Sequence, residues 1–363
     1  MSNSLTPRER FNRAMRFQTI DRLPILACEP WPTTEERWHS EGMRDVECEF
    51  AAFDGPMQSC WLYGKYQGPI PSFEEITLEE TDAYCDVQNY LGQKERRLKS
   101  TTSMPFFSEY PIKSRSDWGS YKQRFNPDSS GRYPDNWDNL VRERQTSAAG
   151  EIRGVAVWGF YGFPREMLGP EALSYIYYDD PGLIREMNEF WAHYTLRRLE
   201  RAVREMAFDY ALIWEDNCYN HGMLHSPQVF REFMAPGYRV LTDFFHGHGI
   251  DLIAVDSDGN VTELIPLLLE VGVTGIHPFE VAAGMDVVQI GRQYPELHMW
   301  GGIDKRALAK NKQAIDEELM RVIPAMKKRG GYAACLDHSI PSDVPLENHR
   351  YYTKRLVEMS TMD

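Results

Sequence analysis

The feature that most constrains this chain is a regular alternation, in its C-terminal part, of short apolar runs with longer helical patterns. The apolar runs fall at residues 209–214, 251–255, 273–277, 297–300 and 331–336. Each is β-branched or aromatic and gives way to a polar or glycine-rich loop, as a strand buried on both faces should. Amphipathic helical patterns occupy 180–206, 227–246, 261–271, 285–294 and 312–328. Such units in series predict a parallel sheet, either doubly wound or closed into a barrel.

Upstream, a helix over 6–16 leads into a first strand at 23–28, and the run V-A-V-W-G-F at 155–160 is another. Residues 76–99 alternate more like antiparallel strand than helix, and are read as one barrel strand plus a hairpin. Counting that strand closes a ring of eight. The expected fold class is therefore α/β, a (β/α)8 TIM barrel forming a single domain over 1–363, a length that such barrels reach. Residues 101–151, rich in Ser, Pro, Asp and Trp, are expected to form a long excursion or lid over the barrel mouth.

Composition narrows the function classes. No run of about eighteen apolar residues exists to cross a membrane, and the first residues have no apolar core of a secretory signal. Six scattered cysteines without a C-x-x-C pair fit reduced thiols in a cytoplasmic setting. A net charge of −14 disfavours nucleic acid and anionic membranes as partners.

In barrels the chemistry sits on loops just past the strands. Those loops read Glu215-Asp216-Asn217, Asp256-Ser257-Asp258-Gly259-Asn260, His277-Pro278-Phe279-Glu280, Gly301-Gly302-Ile303-Asp304 and Leu336-Asp337-His338. Carboxylates converging on one small volume either raise a pKa for proton transfer or call for a cation. Asp, Glu and His together also suit zinc or another divalent metal. Asp256 and Asp258 are alternate residues, so an extended backbone points both to one side, and Glu280 and His338 could complete a tetrahedral set. Plainer readings stand beside these. Asp258 or Asn260 could be a helix N-cap, Glu215-Asp216 a capping pair, His277 a satisfied loop histidine and Glu280 an exposed loop carboxylate. Cys335 reads as a small buried apolar residue. Trp31, Trp158, Phe160, Tyr161 and Trp214 could pack a flat substrate group or simply fill the core.

Thr6-Pro7-Arg8-Glu9-Arg10-Phe11, Asp21-Arg22-Leu23-Pro24, Ser226-Pro227, Asp258-Gly259-Asn260, Gly301-Gly302-Ile303-Asp304 and Pro341-Ser342-Asp343-Val344-Pro345 together resemble the uroporphyrinogen decarboxylase superfamily. The resemblance runs from about Thr6 to Val357 and implies the (β/α)8 barrel. One branch of that superfamily decarboxylates a polyanionic tetrapyrrole, gripping it with paired arginines after the first strand. Here that loop is Cys28-Glu29-Pro30-Trp31-Pro32, with no arginine before Arg37. The other branch comprises corrinoid-dependent methyltransferases with a metal site. Its thiol-specific members carry His-x-Cys where this chain has Asp256-Ser257-Asp258, and a Cys near the position of His338. Glu280 matches a glutamate ligand of the related methionine synthases. Replacing thiolates with Asp and His hardens the site and turns it from thiols toward an ether oxygen.

The resemblance implies a methyltransferase moving a methyl group between a small, methoxylated substrate and a corrinoid (cobalamin) carried by a partner protein. Zinc or another divalent metal would lie on Asp256, Asp258, Glu280 and His338. Glu215 and His338 are the candidate catalytic groups, with Asn260 and Asp304 supporting cofactor binding. A metal-free decarboxylase and a non-catalytic tetrapyrrole or corrinoid binder are the alternatives, and pairing as a homodimer is left open.

Overall fold

The computed structural model describes residues 4–58, 60–100, 104–146 and 150–362. The chain opens with a helix, Pro7–Met15, started by a capping box in which the Thr6 side chain accepts from the backbone of Glu9 and the Glu9 carboxylate reaches back. It leads into β1 (Leu26–Ala27), then the helix Pro32–Ser40, β2 (Gly55–Pro56) and β3 (Cys60–Trp61). Next come four strands, β4 (Ile76–Glu80), β5 (Tyr84–Gln88), β6 (Lys94–Leu98) and β7 (Phe106–Glu109), followed by the helices Arg115–Tyr121 and Trp137–Thr146. The remaining strands are β8 (Gly154–Trp158), β9 (Tyr210–Trp214), a two-residue hairpin of β10 (Cys218–Tyr219) and β11 (Gly222–Met223), β12 (Ile253–Asp256), β13 (Gly275–His277), β14 (His298–Trp300) and β15 (Tyr332–Ala333).

Seven of these strands form one parallel sheet in the order β15-β14-β13-β12-β9-β8-β3. Beside the β15 edge lies β1, which pairs in parallel with β2 and touches that last strand through the bridge Ile25↔Ala334. Backbone bonds from Leu26 N–H to Ala334 O and from Ala334 N–H to Pro24 O hold that seam. β8, β12, β13 and β15 are buried at every position, as strands covered on both faces should be. Gly154 shows how tight this packing is, since a Cβ there would lie 2.3 Å from the Tyr210 ring.

The five C-terminal strands lie where the periodicity puts them, and so do the helices Pro181–Glu205 and Lys312–Arg329. Asp180 and Asn311 cap these two helices through side-chain oxygens. The pattern at 227–246 is realised as Pro227–Val229, a π-helical turn at Phe230–Met234 and Ala235–Gly247. One expectation fails. Residues 76–99 contain no strand of the parallel sheet; they are β4, β5 and β6 of a separate antiparallel sheet completed by β7. Its strands are mostly exposed or half-buried, with Arg96 paired to Asp86 across neighbouring strands. The strand at that edge of the parallel sheet is instead β3, while β2 pairs with β1; at two residues each, they are too short to announce themselves by periodicity. The chain therefore leaves the sheet over residues 62–153, and the segment read as an excursion at 101–151 is the later part of that departure. Residues 101–103 and 147–149 of it lie outside the described residues.

No helix among the described residues is long and apolar enough to cross a membrane. All six cysteines are free.

Candidate active site

The C-terminal ends of the strands open into a cavity of about 790 Å³. Three acceptors on its wall converge. Asp258 lies just past β12, Glu280 past β13 and His338 past β15, and one ligand atom from each falls within 4.8 Å of the others. The turn carrying Asp258 depends on Gly259, whose φ is +78° and where a Cβ would sit 2.7 Å from the Tyr219 backbone. The Gly259 N–H donates to Glu280 Oε2 at 2.9 Å, so this same turn orients the second ligand. Buried Asp337 fixes the third. Its two oxygens accept from Val281 N–H at 2.9 Å and Lys305 N–H at 3.0 Å, tying the loop of His338 to that of Glu280.

His338 Nε2 lies 3.4 Å from Asp258 Oδ2. The hydrogen bond to Asp258 raises the imidazole pKa against the opposing effect of burial. Burial pushes the Asp258 carboxyl up, but the bond and charge of His338, with help from Lys305, bring it below its ordinary value. Without a metal each thus favours the charged form of the other. Lys305 Nζ stands 3.8 Å from Glu280 Oε1, a weaker cation at the same spot.

Asp256 lines the cavity but lies outside this group of three. Gln58 donates to its Oδ2 at 2.7 Å, and His277 Nε2 lies 3.8 Å from Oδ1. Burial first, then the charges of Asp216 and Asp258, hold its carboxyl well above the usual carboxylate range. Of the four ligands expected from the sequence, Asp258, Glu280 and His338 are the three whose ligand atoms converge. His277 is fully buried, stacked on Trp300 with ring centroids 4.7 Å apart, and neither ring nitrogen has a hydrogen-bond partner among the described residues. Burial lowers its pKa to about 3.

Three further candidates lie off the cavity wall. Glu215 does not line the cavity; its carboxylate is sealed in the protein interior. One oxygen accepts from Phe160 N–H at 2.8 Å and from the Tyr238 hydroxyl, the other from Tyr161 N–H at 2.8 Å and Gly162 N–H at 2.6 Å. With both oxygens accepting twice, no position remains for a catalytic proton; Glu215 caps the start of the helix Gly162–Leu168. Asn260 spends its amide on Ala283 O and Thr262 N–H. Asp304 caps the helix Lys305–Lys310 and pairs with Arg306. Neither lines the cavity.

Among the expected rings, Trp31 and Trp214 line the cavity, whereas Trp158 stacks on Trp191 in the core and Phe160 and Tyr161 are buried. Sequence reasoning missed Tyr63, Phe107 and Tyr110, which complete the aromatic wall, and Arg165. Arg165 packs over the Trp214 ring at 5.1 Å and pairs with Asp216 at 3.2 Å. It lies inside the helix that follows β8, one step beyond the loop that a strand-end search reads. In all, the wall carries Glu29, Glu166, Asp216, Asp256, Asp258 and Glu280 against only Arg165 and His338.

Comparison with known proteins places these features. The family model described as uroporphyrinogen decarboxylase (URO-D) matches residues 164–359, which include every converging ligand. Among solved structures 41 chains match. One, a methyltransferase from Methanosarcina mazei, is 13% identical, with a TM-score of 0.62 over 98% of this chain and 99% of that one; at this identity the likeness speaks for the fold. No curated protein sequence matches significantly. With more than half its length under the family model, and with five of the seven strands of the parallel sheet and the site loops inside that match, the chain belongs to the uroporphyrinogen decarboxylase (URO-D) family.

Proposed function

We propose that this protein transfers a methyl group from a small methoxylated substrate to the cobalt of a corrinoid held by a partner protein, with a divalent metal on Asp258, Glu280 and His338. The observation that carries the reading is the convergence of those three ligand atoms on the wall of the large cavity. Three protein donors with the cavity on the remaining side form the donor set of a catalytic rather than a structural zinc site. Two carboxylates and an imidazole, without a thiolate, favour a hard substrate atom such as an ether oxygen. When bound, the metal would supply Lewis acidity at that oxygen.

The protein's own residues do the rest. Gly259 N–H and Asp337 fix the ligands in place. Trp31, Trp214, Phe107 and Tyr110 offer faces for a flat organic group. A polyanion is disfavoured, because six carboxyl groups face one arginine and one histidine. That argues against decarboxylation of uroporphyrinogen despite the family name. The methyltransferase among the structural neighbours supports the same choice. In this reading β1 closes the sheet into a (β/α)8 barrel of a single domain, the excursion covers its mouth, and the protein works in the cytoplasm.

The test joins elemental analysis with a screen of methyl ethers against free cob(I)alamin. A stoichiometric divalent metal and turnover are expected, both lost in Asp258→Ala and His338→Ala. Metal-free protein whose two variants keep full activity would overturn the proposal.

A further inference from the structure

A second pocket, of about 350 Å³, lies between the loop over 126–133 and the helix Pro181–Glu205, and shares no lining residue with the cavity described above. Arg132, Arg197, Arg198 and Arg201 line it, with Asp128 as its one acid. Arg197 and Arg201 are one helical turn apart and Arg198 lies beside them, so the helix presents three guanidinium groups on one side.

Two of the four arginines are buried without a counter-charge. Arg132 donates only to backbone carbonyls, those of Asn126, Gly68 and Arg124. Arg198 is 1% exposed and donates from Nη1 to Leu62 O at 2.9 Å. Its Nε and Nη2 have no hydrogen-bond partner among the described residues. No carboxylate pairs with either side chain among those residues. The outer pair is better served. Arg201 pairs with Glu205 and Asp138, while Arg197 faces Asp128 at 3.6 Å, both side chains largely exposed.

A buried cation lacking a counter-ion is costly to hold, and its field is little screened by the surrounding protein. The pocket above it offers further donors in Arg197 and the Ser129 and Ser130 hydroxyls, all on its wall. We infer that this pocket binds a small oxyanion of the phosphate type, with Arg198 supplying the uncompensated charge beneath and Arg197 and the serine loop donating from above. Guanidinium forks and hydroxyls suit the several acceptor oxygens of such an ion better than a single halide.

The experiment is calorimetric titration of the whole protein with inorganic phosphate, and separately with glycerol phosphate, at ionic strength held constant with sodium chloride. Saturable binding at one site is expected, weakened by about tenfold or more in Arg198→Met and in Arg197→Gln. Arg197 is largely exposed, so its variant keeps the test decisive if the buried substitution fails to fold. Tighter binding of glycerol phosphate would make the natural occupant a phosphomonoester, and tighter binding of phosphate the free ion. The absence of saturable binding with either probe, or unchanged affinity in the variants, would overturn the assignment.

Discussion

Glu215 separates a catalytic from a structural reading of this family's strand-end acids. Glu215→Ala removes the acceptor shared by three backbone N–H groups and the Tyr238 hydroxyl. Leaving a buried donor unsatisfied costs about 1–3 kcal/mol. The three N–H groups together set a scale of roughly 3–9 kcal/mol, and because the Tyr238 hydroxyl can rotate and water can enter the space vacated, the lower end applies. Against a typical stability of about 5–15 kcal/mol this is a large fraction. Thermal and urea midpoints should fall sharply, and Glu215→Gln should lie between wild type and Ala, because an amide keeps one acceptor but turns an N–H₂ toward an N–H. Metal content, measured on the folded fraction, should stay at the wild-type level. A Glu215→Ala protein of near wild-type stability but without activity would refute this reasoning and return Glu215 to the chemistry.

Three other substitutions or conditions probe the ligand cluster. Gly259→Ala forces a Cβ against the Tyr219 backbone at a positive φ; a loss of about 2 kcal/mol or more is expected from strain alone, with weaker metal retention read by chelator competition, because Glu280 loses its anchor. Lys305→Ala removes a cation 3.8 Å from Glu280, and metal should then bind roughly fivefold more tightly, following the ~1 kcal/mol that two charges exchange at this range in water. The His338–Asp258 pair gives the metal-free protein a signed pH response. A raised histidine pKa stabilises below the ordinary value of 6.5 and ceases to do so as pH rises through the folded value. A lowered aspartate pKa stabilises above 3.8 and fades as pH falls through its folded value. Their joint contribution should therefore peak in mildly acid solution, and His338→Ala should flatten a plot of thermal midpoint against pH. Metal needs the neutral imidazole, so its affinity should fall over the same acid range.

The C-terminal half of this fold was legible because its strands are apolar throughout and its helices long enough to show their period. The same strand-end logic found Asp258, Glu280 and His338 together. It failed in instructive places. Glu215 and Asp304 are strand-end acids too, and only three dimensions reveal that their oxygens are already claimed by backbone N–H groups. Asp256 differs from Asp258 by two residues, yet one is buried against Gln58 and the other reaches an imidazole. The polar ladder Arg96–Asp86 imitated a barrel strand, while β2 and β3, with two residues each, left no pattern to read. Arg165 owes its place to a helix entering the cavity, which no loop motif announces.

The departure of the chain between β3 and β8 has a consequence for how this protein can change. The converging ligands hang on β12, β13 and β15, whereas Met104, Phe107 and Tyr110 reach the cavity from the inserted segment. The three ligands and these three wall residues are thus carried by separate stretches of the chain, so a change at Met104, Phe107 or Tyr110 alters one part of the chamber wall without replacing a ligand. Larger or smaller side chains at those three positions would reshape that side of the chamber while Asp258, Glu280 and His338 stay where they are.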